Sequence, residues 1–323
     1  MKIVVLDRCT IVSNGDISLD PICSAGDTVI YDMLSEDEII AAASDADALI
    51  CNKANINRRI IYACKNLKYV GLFATGYNNI DLEAANERGI YVVNAPGYST
   101  NSVVQHTIGL MIALASGICS YNASVKSGEW CKSAAFTYLT EPTVELCGKT
   151  LGIFGFGTIG KAVARAAEGL GMKIIASTRT VSQSDKYEFV SRDELFMRSD
   201  FLTLHCPLNE ATREIVNKRT LSLMKKSAYI INTARGGCVN EAELYSALSD
   251  GTIAGAAIDV VTVEPMAESN PLRLAPNIII TPHVAWATVE SRRRLVDMVA
   301  YGLNAFKNGR PVNVVNSPEN FRL

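Results

Sequence analysis

The sequence lacks an excess of charge of either sign and any closely spaced pair of cysteines. Its 31 Lys and Arg side chains nearly balance 33 Asp and Glu side chains, and the net charge is −2. A chain balanced in this way has no global field that favours nucleic acid or an anionic membrane, so we expect neither as a partner. The nine cysteines include no C-x-x-C pair, which favours reduced, mostly buried thiols in a cytoplasmic protein. We expect no bound metal.

Nor does the sequence contain an apolar run long enough to cross a membrane. The most apolar long segment, residues 103–119, carries Gln105 and His106 and falls short of the roughly 20 residues that a spanning helix needs. We interpret this segment as a buried helix. The N-terminal residues MKIVVLD contain too short an apolar run for a signal peptide and predict a strand instead.

Short β-branched segments alternate with helical ones throughout the 323 residues, a pattern typical of parallel sheets covered by helices. The predicted strands are KIVVLD, ADALICN, YVGLFA and IYVVN in the first third, then TLGIFGFG, KIIAST, DFLTLHC, AYIINTA, IAGAAIDV and NIIITPH. We predict an α/β protein with two doubly wound parallel-sheet domains around a cleft. Residues 1–101 and 287–323 form the first domain, because the last helix returns to it, and residues 102–286 form the second.

A glycine-rich turn follows the first strand of the second series. Gly155, Gly157 and Gly160 form the pattern G-x-G-x-x-G between the strand TLGIF and the helix KAVARAAEGL, and the strand MKIIAST comes next. In this setting the pattern predicts a dinucleotide site. One glycine makes the tight turn, one admits the pyrophosphate and one lets the helix pack on the strand. The amides of Thr158 and Ile159 would then point at the phosphates.

Only three histidines occur in the chain, and one of them stands where open parallel sheets bind ligands. His283 follows the predicted strand NIIIT, at its carboxyl end. Arg235 and Glu264 follow two other predicted strands in the same way. An arginine offers a planar fork for a carboxylate, a histidine moves a proton near neutral pH, and a glutamate can fix the imidazole tautomer. We interpret His106 and His205 as packing or backbone-positioning residues.

The chain resembles the D-isomer-specific 2-hydroxyacid dehydrogenases over essentially its full length. The motifs that carry the resemblance are GFGTIGKAVA, LHCPLNEATREIVN, MKKSAYIINTARGGCVNEAEL, GAAIDVVTVEP and TPHVAWAT. Three further segments, ATGYNNID, PGYSTNSVVQHTIGLMIAL and HVAWATVESRRRLVD, are most similar to the glycerate dehydrogenase (hydroxypyruvate reductase) branch. The resemblance implies a Rossmann-type cofactor domain and a flavodoxin-like substrate domain.

The resemblance also implies roles for the strand-end residues. Arg235 would bind the substrate carboxylate and polarise the carbonyl, His283 would exchange a proton with the carbonyl oxygen, and Glu264 would keep His283 protonated for reduction. The implied substrate contacts are Lys53, Thr75, Gly76, Tyr77, Arg235 and Trp286, although the aromatic ring of Trp286 is equally typical of simple hinge packing. The implied cofactor contacts are Gly155, Gly157, Thr158, Ile159, Gly160, Thr178, Arg179, Thr180, Cys206, Pro207, Thr212, Thr233, Ala234, Arg235, Asp259 and His283.

The segment KIIASTRT, residues 173–180, ends without the acid that NAD enzymes use to bind the ribose 2′-hydroxyl. Thr178 stands in the place of the acid, Arg179 supplies a cation, and Thr180 adds a hydroxyl group. This pattern favours NADPH over NADH, because an acid would repel the 2′-phosphate and an arginine attracts it. The alternative is an arginine that stacks on adenine or faces solvent in an enzyme that uses NADH.

From the resemblance we expect an NAD(P)-dependent oxidoreductase that reduces hydroxypyruvate to D-glycerate or glyoxylate to glycolate. The alternatives are a dehydrogenase for a bulkier 2-keto acid, a phosphoglycerate dehydrogenase without an added regulatory domain, and a dinucleotide-sensing binding protein like the transcriptional corepressors of this fold. The resemblance further implies a homodimer, and the aromatic, weakly charged segment of residues 129–146 fits its interface.

Overall fold

The strands assemble into two separate parallel sheets, each within its own part of the chain. The computed structural model describes residues 1–180 and 186–318. Unit 1 comprises residues 1–99 and the chain from Ala287 onward, and unit 2 comprises Thr100–Trp286. The division made from the sequence differs from this one by two residues at the first boundary.

Unit 1 is a five-stranded α/β sandwich. Its strands are β1 (Lys2–Val5), β2 (Asp27–Ile30), β3 (Ala48–Cys51), β4 (Tyr69–Leu72) and β5 (Tyr91–Val93). Its helices are α1 (Asp20–Cys23), α2 (Glu36–Ala43), α3 (Arg58–Ala63), α4 (Leu82–Glu87) and the last helix of the chain, α11 (Val289–Lys307). The strand order is β2-β1-β3-β4-β5, which is the flavodoxin-like order. Every residue of β3 and β4 is buried, as expected for parallel strands covered on both faces.

Unit 2 contains the larger sheet. Its strands are β6 (Thr150–Phe154), β7 (Lys173–Ser177), β8 (Glu188–Phe189), β9 (Phe201–Leu204), β10 (Tyr229–Asn232), β11 (Gly255–Ile258) and β12 (Ile278–Ile280). Its helices are α5 (Thr100–Ser116), α6 (Ile118–Lys126), α7 (Thr158–Glu168), α8 (Arg192–Arg198), α9 (Lys218–Ser222) and α10 (Glu241–Ser249). The sheet order is β12-β11-β10-β9-β6-β7-β8. This is the Rossmann order with one strand added, so the predicted fold class is confirmed.

Two strands and one helix break depart from the sequence-based expectation. The strands β2 and β8 were not predicted: β2 lies at the edge of its sheet with alternate residues exposed, and β8 has only two residues. Neither carries the apolar run that marks the central strands. The apolar segment 103–119 is not one buried helix, because Gly117 adopts a left-handed φ of 61° and separates α5 from α6.

Within the described residues, no single helix is both long and apolar enough to cross a membrane, whereas α5 and α6, bent by 61°, reach that length and composition only as a pair. Helix α2 begins with a capping box formed by Ser35 and Glu38. Both the amide and the hydroxyl group of Ser35 donate to the carboxylate of Glu38, at 2.8 and 2.6 Å.

Candidate active site

Three neighbouring strands of unit 2 each end in one member of the predicted catalytic group. Arg235 follows β10, Glu264 follows β11 and His283 follows β12. These strands lie side by side in the order β12-β11-β10 and pair in parallel, so their carboxyl ends meet at one edge of the sheet about 4.8 Å apart. The sheet thus gathers, along one edge, residues that are separated by up to 48 positions in the chain.

His283 and Glu264 form a direct pair at this edge. The Nδ1 atom of His283 lies 2.6 Å from Oε2 of Glu264, and the other carboxylate oxygen of Glu264 accepts the amide of Val261 at 3.1 Å. The two side chains are 31% and 36% exposed, so solvent and small molecules reach them. A carboxylate on Nδ1 orients the imidazole and leaves Nε2 to exchange a proton.

The backbone of His283 is held in an uncommon conformation. Its φ is 55°, in the left-handed region that costs a non-glycine residue free energy. Its amide donates to the Asp259 carbonyl at 2.7 Å, and its carbonyl accepts the indole N–H of Trp286 at 2.9 Å. These bonds fix the direction of the imidazole before any substrate arrives, and they give Trp286 a local structural role.

Asp259 supports the same loop with its side chain. It is 1% exposed, and its carboxylate accepts the hydroxyl group of Thr281 at 2.6 Å and the amides of Val284 and Ala285 at 2.9 Å each. The resemblance implies that Asp259 contacts the cofactor, and that contact stays a prediction. The sequence does not single out Thr281, whose only signal is its place at the end of the strand NIIIT.

Arg235 sits at the start of a short 3₁₀ turn, Gly236–Cys238, with its side chain exposed. Its Nη1 donates to the carbonyl of Ala234 at 2.7 Å. The turn is shaped by Asn232, which is fully buried: its amide group donates to the Arg235 carbonyl at 2.9 Å and accepts the Ala234 amide at 3.0 Å. Asn232 was also missed, although an asparagine that closes the apolar strand AYII is an unusual residue for that place.

The glycine turn has the geometry that a dinucleotide needs. Gly155 has a φ of 93°, and a Cβ atom there would lie 2.7 Å from the amide nitrogen of Cys206. A Cβ atom at Gly160 would lie 2.3 Å from the Gly155 carbonyl, so only glycine lets α7 pack this closely on the turn. At Gly157, by contrast, no atom of residues 1–180 or 186–318 lies within 4 Å of a Cβ atom. The residues therefore fit a dinucleotide, with open space where its pyrophosphate would approach.

The first turn of α7 and the end of β7 flank this open space. Helix α7 begins at Thr158, with Ile159 next, and the amides of a first helical turn have no partner within the helix and favour anions. The amide of Gly155 donates to the Ser177 carbonyl at 2.9 Å, which brings the end of β7 beside the glycine turn. Directly after it, Thr178 is half-buried, and Arg179 and Thr180 are exposed.

The other implied cofactor residues lie on two loops at the carboxyl edge of the same sheet. Cys206, Thr212, Thr233 and Ala234 are nearly buried, and Pro207 is exposed. The hydroxyl group of Thr212 donates to the Pro207 carbonyl at 2.6 Å, so it closes its own turn. These side chains offer a cofactor mainly backbone groups and surface.

The thiol of Cys206 is a poor nucleophile in this setting. Its Sγ lies 3.8 Å from the Sγ of Cys238, and the hydrogen bond to Cys238 together with burial raises the pKa of the Cys206 thiol. The same hydrogen bond, with help from the Arg235 charge, lowers the pKa of Cys238. His205 is equally unsuited to proton transfer at neutral pH, because burial lowers its pKa to about 4.

Four implied substrate contacts lie in unit 1, at the carboxyl ends of its strands. Lys53 follows β3 with an exposed side chain, and Thr75, Gly76 and Tyr77 follow β4. The Thr75 hydroxyl group donates to the Ala95 carbonyl at 2.9 Å, which fixes that loop. Contact of these residues with a substrate stays a prediction.

The loop that carries Lys53 is held by Asp7, which the sequence pattern alone does not mark as a site residue. The fully buried carboxylate of Asp7 accepts the amides of Asn52, Lys53 and Ala54 at 2.9, 2.6 and 2.8 Å. Burial raises the pKa of Asp7, and the three amide bonds oppose that shift. The signal was present, because an acid at the end of the apolar run KIVVL is expensive to bury without partners.

Comparison with known proteins agrees with this geometry. Residues 108–285 match the family model described as "D-isomer specific 2-hydroxyacid dehydrogenase, NAD binding domain". The chain is 40% identical over 322 residues to a hydroxypyruvate reductase of Blautia hydrogenotrophica, covering 98% of this chain and all of the relative. It is 42% identical over 283 residues to a glycerate dehydrogenase of Methylorubrum extorquens, covering 87% of this chain and 89% of the relative.

Solved structures show the same relationship. An NADPH-dependent glyoxylate/hydroxypyruvate reductase from Sinorhizobium meliloti, crystallised with citrate, superposes with a TM-score of 0.87 and 30% sequence identity, covering 100% of this chain and 99% of that structure.

Proposed function

The chain belongs to the D-isomer specific 2-hydroxyacid dehydrogenases, and we propose that its substrates are hydroxypyruvate, reduced to D-glycerate, and glyoxylate, reduced to glycolate. Family membership makes it an NAD(P)-dependent oxidoreductase. The observation that carries the reaction is the 2.6 Å pair of His283 and Glu264 on the strands beside Arg235. The choice of substrate is supported by the names of the two relatives from Blautia hydrogenotrophica and Methylorubrum extorquens.

In this proposal the nicotinamide, when bound, supplies or accepts the hydride. The planar guanidinium of Arg235 binds the carboxylate of the 2-keto acid and polarises its carbonyl. His283 gives the proton on Nε2 to the carbonyl oxygen during reduction and takes it back during oxidation. Glu264 stabilises the imidazolium through Nδ1 and holds the ring in place.

A substrate panel tests this proposal. Purified protein should oxidise NADPH or NADH in the presence of hydroxypyruvate or glyoxylate, with lower kcat/KM for 3-phenylpyruvate, and it should not oxidise 3-phosphoglycerate when NADP⁺ or NAD⁺ is supplied. A higher kcat/KM for the bulky acid, or activity on 3-phosphoglycerate alone, would contradict the substrate assignment. Absence of turnover across the whole panel would favour a dinucleotide-sensing protein.

The role of His283 has its own test. His283→Ala should lower kcat by about 10²–10⁴-fold, the range typical of losing a general acid. The matched control is His205→Gln, since His205 is another histidine of the same unit, with a buried Nε2 atom and no assigned chemistry. A near-normal kcat in His283→Ala would remove His283 from the mechanism.

We propose further that the cofactor is NADPH in preference to NADH. The support is the run of Thr178, Arg179 and Thr180 beside the glycine turn. In enzymes that select NADH, an acidic residue stands at this place. Steady-state kcat/KM with each cofactor tests the preference, and Thr178→Asp should shift it toward NADH. A tenfold or greater preference of the parent protein for NADH would overturn the proposal.

We also propose that the protein is a homodimer joined through α6 and the segment that follows it. Five large apolar side chains are exposed there: Ile118 is 52%, Val125 42%, Trp130 48%, Phe136 89% and Leu139 88% exposed. A cluster of this kind on one segment is typical of a protein interface. Light scattering should give twice the chain mass of 34.9 kDa, and Phe136→Ser with Leu139→Ser should give the monomer. A monomeric parent protein would contradict the proposal.

A further inference from the structure

Helix α5 is the most apolar helix of the chain, yet it carries polar side chains at buried positions. Ser102 is 4% exposed and Thr107 is fully buried, while His106 is half-buried. Buried polar groups cost free energy unless they are hydrogen-bonded, so each of them needs a partner. Their partners all lie on the two loops that carry Arg235 and His283.

One contact reaches the arginine loop. The hydroxyl group of Thr107 lies 2.9 Å from the hydroxyl group of Thr233, and either can donate. Thr233 stands two residues before Arg235, between the end of β10 and the 3₁₀ turn. Both threonines are buried, at 0% and 9% exposure, which makes this bond a fixed attachment of the loop to α5.

Two contacts reach the histidine loop, one on each side of His283. The Nε2 atom of His106 lies 3.0 Å from the hydroxyl oxygen of Thr281, two residues before His283. The hydroxyl group of Ser102 donates to the carbonyl of Ala285 at 2.6 Å, two residues after it. The segment that holds His283 at a φ of 55° is therefore attached to α5 at both ends.

The hydrogen bonds of His106 have a defined direction. The hydroxyl group of Thr281 donates its single proton to Asp259 at 2.6 Å, so its oxygen accepts from His106 and Nε2 must carry hydrogen. The same Nε2 atom lies 3.6 Å from Asp259. Asp259 in turn accepts the amides of Val284 and Ala285. A donor on α5 is thus connected through Thr281 to the carboxylate that orders the loop.

We propose that Ser102, His106 and Thr107 are positioning residues, through which α5 sets the loops of Arg235 and His283 in register with each other. The inference rests on the proposed roles of those two residues. A carboxylate and the adjacent carbonyl of one substrate must meet both side chains at once, and a misplacement of about 1 Å can cost about 100-fold in rate. A single rigid helix bonded to both loops supplies that constraint.

Kinetics of matched variants test the proposal. Thr107→Val should raise KM for hydroxypyruvate about fivefold to tenfold with a smaller change in kcat, because it frees the Arg235 loop. His106→Phe should lower kcat by about tenfold with a smaller change in KM, because it frees the His283 loop. His106→Gln should recover most of the kcat, since its amide can donate in place of Nε2. A purely structural role would not raise mainly KM in one variant and lower mainly kcat in the other.

The control variant is Thr203→Val. Thr203 is also a fully buried threonine of unit 2, and its hydroxyl group donates only a long 3.4 Å bond to the Gly152 carbonyl on a neighbouring strand. Thr203→Val should lose about as much stability as Thr107→Val, without a selective change in either KM or kcat. Thr203→Val kinetics like those of Thr107→Val, or unchanged kinetics in both Thr107→Val and His106→Phe, would overturn the proposal.

Amide hydrogen exchange provides a readout that needs no turnover. In His106→Phe the amides of residues 283–286 should exchange about tenfold faster than in the parent protein, and in His106→Gln they should stay close to the parent rate. Unchanged exchange in His106→Phe would contradict the proposal even if hydroxypyruvate proved not to be the substrate. Failure of the substrate assignment and failure of this inference are therefore distinguishable.

Discussion

Each sheet has a crevice at the point where its strand order reverses, and the two crevices differ in whether the protein itself fills them. In each sheet the chain first adds strands on one side of its first strand and then crosses to the other, between β1 and β3 in unit 1 and between β6 and β9 in unit 2. Open α/β sheets bind ligands at such switch points. In unit 1 the amides after β3 are all turned onto the protein's own Asp7 carboxylate, whereas in unit 2 the space in front of Gly157 is open.

The difference shows that strand order alone does not make a dinucleotide site. Both crevices offer backbone amides to a negative charge, but in unit 1 a buried carboxylate already takes them. The amides of unit 2 are left for phosphate, because glycine at 155, 157 and 160 brings the turn close to β9 without filling the crevice. The comparison predicts that Asp7 matters for stability and that the glycine turn matters for binding.

Removing the carboxylate of Asp7 should have the largest effect on stability. Asp7→Ala leaves three buried amides without a partner, and we expect a loss of about 3–5 kcal/mol in the free energy of unfolding. Urea unfolding measures this loss. Asp37→Ala is the control, because Asp37 is an exposed carboxylate of the same unit, paired only with Arg59 at the surface, and should cost little. Equal losses in the two variants would show that the clamp does not hold unit 1 together.

Filling the open crevice should have the next largest effect, this time on binding. No described residue lies within 4 Å of a Cβ atom at Gly157, so Gly157→Val should fold, losing about 1 kcal/mol because valine is a poor residue to begin a helix. Its affinity for NADPH should fall about 100-fold or more, since the side chain occupies the space of the pyrophosphate. Fluorescence titration of NADPH measures the affinity.

The control for that variant is Gly109→Val on α5, where the added side chain also meets nothing within 4 Å. It should bind NADPH as the parent protein does. A Gly157→Val variant that kept its affinity would mean that the dinucleotide does not pass in front of the glycine turn.

The sequence predicted the site in unit 2 better than it predicted the Asp7 contacts in unit 1, for a physical reason. In unit 2 the residue types and their spacing are enough to indicate the site. The glycine pattern predicts the turn at Gly155, and charged residues after strands predict the pair of His283 and Glu264. The clamps of Asp7 and Asp259 were not, because each depends on a hydrogen bond between loops 45 and 25 residues apart.

Helix α5 shows the same limit. Its apolar composition correctly indicated burial of much of the helix, but it gave no sign of what His106 and Thr107 would meet. Their partners lie 175 and 126 residues away. Long-range polar contacts of this kind are set by the packing of whole elements, and a periodic pattern cannot report them.

Acid should distinguish the two units through their buried titratable groups. Burial lowers the pKa of His205 to about 4 from its usual 6.5, so between these values the unfolded chain binds more protons and stability falls as the pH falls. At pH 5 the loss reaches about 2 kcal/mol. Asp7 responds in the opposite sense: because its pKa is raised, its contribution to stability is fully present below the usual value of 3.8 and is lost as the pH rises through the folded value.

The measurement is urea unfolding of the parent protein and of His205→Gln at pH 7, 6 and 5. The difference in unfolding free energy between the two proteins should change by about 2 kcal/mol over this range, in favour of the variant at low pH. Parallel curves would show that His205 can accept a proton without loss of folded structure.

Substitution of Glu264 should have the smallest effect on stability, because we expect Glu264 to act in the reaction, whereas Asp7 stabilises the fold. Glu264 differs from Asp7 in being partly exposed and paired with an imidazole, so Glu264→Gln should change stability little. It should instead lower kcat for reduction about tenfold, because His283 loses the carboxylate that orients its ring and stabilises its charged form. Glu241→Gln is the control, since Glu241 accepts the amide of Thr262 on the loop before Glu264 and touches no catalytic group. If both variants kept the parent kcat, the pair of Glu264 and His283 would be structural, and the contrast between the two carboxylates would disappear.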